Sequence, residues 1–366
     1  MGPPKINRRL GECSSRYGSH KHLGIYLTST LDWSLHVQQT LIKAYRKLSV
    51  LRSVRLLHRN TLDLLYKLTI RSVIDYGLVV FGSSLKLSDL NRLEQLQYKA
   101  GKLVTGALHL TSAEKLNNEL GWESIKTRTD FLGMTLFYKI NGGLTRPLLK
   151  TCMTSQVWKR NSRQFGHYTR YPNYGVKFLN SFFPYFSKKW NQLDRSTVNL
   201  DLEDFKQELK VSLEPVKHRH YSYGSRLGNK LLTRLRLGRT FLNSHGYAIG
   251  KVKSPECLCH NRNETTKHFM LDCWLYTIER TSLFDQMNEL VTGFDRLSQK
   301  NKLDILLFGY SDTELLPISA KINLAVQKFI IQTKCFCTRC NLVSHDLSLS
   351  FSFSFSFFSF FSLLAS

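Results

Sequence analysis

The sequence predicts a mainly α protein: a helical bundle, a basic irregular linker, a small Cys/His module and a low-complexity C-terminus. Three observations predict this. Apolar residues between 33 and 141 recur at spacings of three and four, the period of a half-buried helix. Six of the eight cysteines fall in two tight clusters, a pattern of metal ligation rather than of a disulfide framework. The last twenty residues carry no charge and are dominated by Ser and Phe.

Residues 1–20 read as a disordered arm, and HLGIYL (22–27) reads as a short strand. A long helix follows. Trp33, Val37, Leu41, Ala44, Leu48 and Leu51 form its apolar stripe, Asp32 is placed to cap it, and Lys43, Arg46, Lys47 and Arg52 lie on the other face. A second helix is predicted over 61–75. A third spans 89–105, with Ser88 as its cap and Leu90, Leu93, Leu96 or Gln97, Ala100 and Val104 as its stripe. Thr111 and Glu114 form a capping box for a helix at 112–120, which Gly121 ends. A fifth helix covers 124–141. Gly142, Gly143 and Pro147 then mark a boundary, so residues 21–147 read as one helical domain.

Residues 148–245 read as a basic and aromatic linker region. The chain holds 52 Lys+Arg against 27 Asp+Glu, a net +25, and the excess is concentrated: +9 in residues 1–60, +12 in residues 151–260 and zero after 260. Charge gathered in blocks suits a polyanion surface, and solvated surface charge is the alternative. Within the linker, Lys159, Arg160, Arg163 and Arg170 interleave with Trp158, Phe165, His167, Tyr168 and Tyr171. Rings that stack on bases and cations that meet phosphates suit single-stranded or structured nucleic acid. The same rings would serve equally to pack the loop on the helical body. Arg226, Lys230, Arg234, Arg236 and Arg239 form a second basic stretch, readable as a phosphate-facing edge or as a plain amphipathic helix.

The segment 246–340 holds the most specific pattern. Cys257, Cys259, His268 and Cys273 are spaced C-x-C-x8-H-x4-C. Three thiolates and an imidazole complete a tetrahedral shell for zinc and leave no open position, so the expected role is structural. Reduced thiols without a metal are the alternative. Cys335, Cys337 and Cys340 (C-x-C-x2-C), with His345, form a second possible metal set, but the low-complexity tail that follows at once argues against it. The tail, 341–366, alternates Ser and Phe from 350 on. Twenty uncharged residues are long enough to cross a bilayer, but strict alternation has the period of a strand. A biased tail is therefore expected over a membrane anchor. The basic N-terminus lacks an apolar core of the kind a signal peptide carries, so an intracellular location, nuclear or cytoplasmic, is expected.

Several runs, in order, resemble the C-terminal part of non-LTR (LINE-type) retrotransposon polyproteins. HKHLGIYLTSTLDWSLHV (20–37) is similar to the H-x-x-L-G-[IV] strand and L-x-W-x-x-H-[IV] segment that follow the reverse transcriptase palm. LTIRSVIDYGLVVFG (68–82), LNRLEQLQYKAGKLVTGA (90–107), ELGWESIKTRTDFLGMTLFYKI (119–140) and NSFFPYFSKKWNQL (180–193) resemble the blocks that come next. The Cys/His cluster resembles that family's C-x-C-G-x-x-x-E-T-x-x-H-x-x-x-x-C motif, with Glu264 and Thr265 in place. The end, 306–336, is similar to its closing helix. Two positions depart: His260 stands where the family has Gly, and could compete as a ligand, while Trp274 stands where Pro often follows the last Cys.

The resemblance implies a thumb-like helical bundle and a zinc-binding tail that hold element RNA or target DNA, with Lys43, Arg46 and Lys47 on phosphates. It also implies a polymerase whose palm carries paired aspartates for two metal ions. This chain has no Asp-Asp pair and no endonuclease, so an inactive fragment is expected rather than an enzyme. A zinc-stabilised structural or interaction protein without a nucleic-acid role, tail-anchored or not, is the alternative. Neither reading sets an oligomeric state.

Overall fold

The computed structural model describes residues 18–153, 175–213, 218–310, 312 and 314–336. The described chain is mainly helical, as expected. The expected arm before residue 18, Lys159, Arg160, Arg163 and Arg170 with their neighbouring rings, Cys337, Cys340, His345 and the Ser/Phe tail lie outside the described residues. Two compact units divide the chain, Met1–Val104 with Ser112–His218 and Thr105–Thr111 with Arg219–Ser366.

The first unit opens on a hairpin. Strands β1 (Ser19–His22) and β2 (Ile25–Thr28) pair antiparallel, with His22 opposite Ile25. Leu23 and Gly24 between them both take positive φ, 46° and 81°, as a tight two-residue turn requires. The strand predicted at 22–27 is thus a hairpin whose turn falls inside the prediction. Helix α1 (Ser34–Ser53) buries Val37, Leu41, Ala44, Leu48 and Leu51, the predicted stripe. Trp33, not the expected Asp32, stands at the N-cap; Asp32, one residue earlier, accepts from the Ser34 backbone N–H, and its bond to Lys86 holds its carboxyl well below the usual carboxylate range.

The helix predicted at 61–75 is interrupted. Helix α2 (Arg59–Leu65) passes through a π-helical stretch, Tyr66–Arg71, into the short α3 (Ser72–Asp75). The wide turn points Tyr66, Ile70 and Arg71 inward together. Gly77, at φ 71°, then starts α4 (Leu78–Phe81); a Cβ there would stand 2.6 Å from Ile25 Cδ1. Helix α5 (Leu87–Thr105) buries Leu93, Leu96, Gln97, Ala100 and Val104, while the expected cap Ser88 is exposed inside the helix. Ser112, not Thr111, caps α6 (Ala113–Leu120), because the Thr111 hydroxyl donates back to the Leu108 carbonyl. Gly121 ends α6 at φ 62°, and Ser124 caps α7 (Ile125–Asn141).

A buried polar network ties these helices together. Arg59 pairs with Glu119 at 2.8 Å and Arg71 with Glu123 at 2.7 Å, all four side chains being less than a tenth exposed. Tyr66 stacks on Trp122 at 3.9 Å and donates to Gln97 Oε1 at 2.9 Å. Gln97 Nε2 donates to the Glu123 carbonyl, and Trp122 Nε1 donates to Asp63. Each of these buried charges has a counter-charge, and losing one partner would strand the other at a large cost.

The region expected as an irregular linker contributes helices. After α8 (Pro147–Thr151) come α9 (Val176–Leu179), α10 (Phe182–Trp190), α11 (Arg195–Val198) and α12 (Leu202–Leu213). Phe186 and Trp190, and Phe205 and Leu209, are spaced four apart. They pack with Met134 and Phe137 of α7 into one apolar cluster. Gly133 makes room for this: a Cβ there would lie 1.9 Å from Phe186 Cζ.

The second unit contains α13 (Arg226–Arg236), α14 (Asn243–Ala248), the Cys/His segment, α15 (Thr277–Leu290), α16 (Gln299–Phe308) and α17 (Leu316–Gln332). Leu232, Phe269, Met287, Phe294, Val326 and Phe329 are among the residues of its core. Among the described residues no helix is long and apolar enough to cross a membrane.

Gly133→Ala should destabilise the first unit by about 1–3 kcal/mol, because the clash is with an aromatic ring that cannot yield. Urea unfolding of the purified protein checks it, and an unchanged midpoint would refute the packing. His36 supplies a pH test. It is buried edge-on to Phe81 at 4.6 Å, and burial lowers its pKa. The unfolded chain therefore takes up the proton first. Stability is full above about pH 6.5 and falls as pH drops below it. Thermal unfolding of the protein and of His36→Leu across pH 5–8 should show a weaker acid loss in the variant.

Candidate metal centre

The first two ligands come from one tight turn. Glu256 and Asn263 form an antiparallel bridge, Cys257 N–H donates to Arg262 O at 2.9 Å, and Glu264 N–H donates to Pro255 O at 2.8 Å. His260 N–H closes the turn on the Cys257 carbonyl. Cys257 and Cys259, two apart, thus lie on one short hairpin turn.

The other two ligands come from a helical turn. Thr265 Oγ1 accepts from His268 N–H at 3.1 Å and so caps the start of that turn. It then widens into a π-helical stretch, His268–Asp272, and Cys273 N–H donates to the His268 carbonyl at 2.8 Å. This bond decides the geometry. On an α-helix, residues five apart point about 140° away from each other. The wider i→i+5 turn brings them to one side, so the H-x4-C spacing delivers both ligands to one place.

The four ligand atoms lie within 4.8 Å of one another, and all four residues are buried. Cys257 Sγ is 3.6 Å from Cys273 Sγ, and Cys259 Sγ is 3.2 Å from His268 Nε2. A tetrahedral ion with bonds of about 2.3 Å to sulfur and about 2.0 Å to nitrogen sets edges of about 3.8 Å and about 3.5 Å. The residues therefore fit a closed four-ligand metal shell. The sulfurs are too far apart for a disulfide.

Burial dominates the electrostatics of the cluster. Burial pushes the Cys257 thiol up to about 12 and also raises Cys273, while burial lowers His268. Cys259 moves the other way. Burial opposes its ionisation, but the Asn261 and Arg262 backbone N–H groups and the neighbouring thiols outweigh that. A metal ion held there would supply the charge that the buried thiolates lack and would displace their protons.

The residues around the shell each have a task. Glu264, buried, accepts from Asn243 N–H at 2.7 Å at the start of α14. Trp274 Nε1 donates to the Cys259 carbonyl at 3.3 Å, a bond the expected Pro could not make. His260, a potential competing ligand by sequence, is exposed, stands outside the cluster and adopts φ 59°. That is the left-handed region in which Gly is favoured. Cys335 is buried with its Sγ 3.9 Å from Glu264 Oε1, outside the ligand set. The i→i+5 turn was not foreseen, although the H-x4-C spacing was its signal.

The basic residues divide. Lys43 and Arg46 are exposed on α1, and Lys47 is half-buried beside them. Arg46 lines an open groove of about 710 Å³ between α1 and α5, with Gln38, Tyr45, Asn91, Arg92 and Gln95. In the stretch 226–239, Arg236 is buried and the other four cations are half-buried. Arg236 is buried, its guanidinium 3.9 Å above the Tyr221 ring. Arg234 donates to the Gly106 carbonyl at 2.9 Å and lies 5.0 Å over the Phe241 ring. Arg239 contacts His245 Nε2 at 3.2 Å. Arg226 and Lys230 are half-buried, and the Lys230 stem lies against Gly106. Long cationic stems cover apolar surface at low cost, so this helix spends much of its charge on its own unit.

His260→Gly should stabilise the metal-loaded protein by about 1 kcal/mol, the cost of a side chain in the left-handed region. Thermal unfolding with the metal present measures it; a loss of stability would mean that the His260 side chain makes a contact that holds the turn.

Compared with known protein families, with curated proteins and with solved structures, the chain has no match.

Proposed function

We propose that this chain is a zinc-stapled nucleic-acid-binding fragment of a LINE-type retrotransposon reverse transcriptase polyprotein, without polymerase activity of its own. The observation that carries the reading is the buried Cys257, Cys259, His268 and Cys273 cluster. It coincides with the one motif of the resemblance that has a chemical meaning, and Glu264 and Thr265, the acid and hydroxyl of that motif, each bond into the surrounding frame. Three soft thiolates and an imidazole suit zinc, which in a closed shell stabilises the fold and performs no hydrolysis. Further support comes from three other runs of the resemblance. Their residues Arg71, Gln97, Trp122 and Glu123 meet in the buried network of the first unit.

Nucleic-acid binding is assigned to the α1 face. Lys43, Arg46 and Lys47 supply positive charge beside a groove whose amides, arginines and exposed Tyr45 suit phosphates and base edges. Element RNA and target DNA are the candidate ligands. This sequence has no adjacent Asp-Asp pair of the kind that the family's palm carries, which supports the reading without polymerase activity. One observation favours a second reading, a zinc-stabilised interaction protein without a nucleic-acid role: Arg234, Arg236 and Arg239 are engaged inside their own unit.

Two measurements decide between them. Elemental analysis should find about one zinc per chain, absent from Cys257→Ser/Cys273→Ser. Filter binding to duplex and single-stranded probes should show steep salt dependence. Replacing Lys43, Arg46 and Lys47 by Gln should reduce the log–log slope by about 2–3, close to one for each phosphate no longer neutralised. A flat salt response would leave the second reading standing.

A further inference from the structure

Arg280, on the first turns of α15, is buried, and its guanidinium reaches back to the metal-type segment. Its NH2 group donates to the Cys273 carbonyl at 2.6 Å and to the Phe269 carbonyl at 3.3 Å, and Nε donates to the Met270 carbonyl at 3.2 Å. These are the carbonyls at the end of the π-helical turn that carries His268 and Cys273. Carbonyls at a helix end lack intrahelical partners and carry partial negative charge. A guanidinium answers both needs with a rigid fork of donors.

The placement joins two environments. From the same turn, Phe269 packs on Phe329 and Phe336, each at 5.4 Å, inside the core of the second unit. His268 and Cys273 point to the ligand cluster. From α15, Leu283 and Met287 enter that same core. Arg280 is the polar clamp between the ligand turn and this helix. Charge supports the role. Three thiolates and a neutral imidazole around a dication leave one net negative charge, and Arg280 places one positive charge on the carbonyl of a ligand residue.

Resting on the metal reading above, we propose that Arg280 is a positioning residue that couples metal occupancy to the helical core of the second unit. It holds the i→i+5 turn in the conformation that presents His268 and Cys273 together, and it balances the charge of the loaded centre. Metal binding and core packing then stabilise each other through it.

Cobalt(II), whose visible bands report thiolate ligation and geometry, is the probe, titrated into the full chain against a competing chelator. Arg280→Gln should weaken cobalt binding about 10–100-fold, the range for residues that orient metal ligands, and change the band shape. Arg280→Lys keeps the charge but not the fork and should fall between. A wild-type spectrum and affinity within twofold in Arg280→Gln would overturn the proposal. If Arg280→Gln does not fold at any cobalt concentration, the native chain decides by nitrogen-15 NMR. The Arg280 Nε–H should exchange slowly with zinc present and lose protection on chelation; protection unchanged by chelation would overturn the coupling. If the wild-type chain binds no cobalt, the metal reading itself fails, which is a different result.

Discussion

One hydrogen bond organises the second unit: Cys273 N–H to the carbonyl of His268, at 2.8 Å. It replaces an α-turn by a wider one, and several features follow. The two ligands come to one side. Phe269 and Met270, between them, are directed into the apolar core. At its end Arg280 donates to the Phe269, Met270 and Cys273 carbonyls, the last of which also accepts from Tyr276 N–H. A π-turn is less favourable than an α-turn and persists where surroundings over-determine it. Here the surroundings are a capping hydroxyl at one end, a guanidinium at the other and the core beneath.

The first unit meets a comparable constraint with ion pairs instead of a Cys/His cluster. Its π-helical stretch, Tyr66–Arg71, also turns residues inward that an α-helix would have separated. The inward set includes a tyrosine and an arginine, so the interior had to supply Glu123 and Gln97 for them. Removing one member of such a network strands a buried charge, which is costlier than never having had the pair. Both units therefore use polar centres, one ionic and one Cys/His, to fix the register of widened helices.

Much of this was legible in the sequence. The stripe on α1 and the Gly121 end of α6 follow from spacing and from Gly chemistry, and the four ligands follow from Cys/His spacing. The misses have physical causes. A cap at Ser112 rather than Thr111 depends on which hydroxyl turns back, and both residue types suit the place. A π-stretch keeps the composition of an α-helix, so periodicity over 61–75 did not separate the two. Basic composition says least about placement. In a stretch such as 226–239, charge counts cannot tell an arginine in water from one stacked on a ring, and Arg236 on Tyr221 is the latter.

That last point bears on how the net charge of +25 should be read. A polyanion surface needs cations that are exposed and adjacent, not merely numerous. In the second unit, several arginines that sequence would assign to phosphate are bonded to carbonyls, to a histidine or over rings. Of these, Arg236 is buried while Arg234 and Arg239 are half-buried. On α1 the situation is reversed. The apolar stripe is fully used by the core, which leaves Lys43 and Arg46 facing solvent with Lys47 at their side. Charge that the fold does not consume is the charge available to a partner, and among the described candidates it is on this helix that the nucleic-acid reading rests.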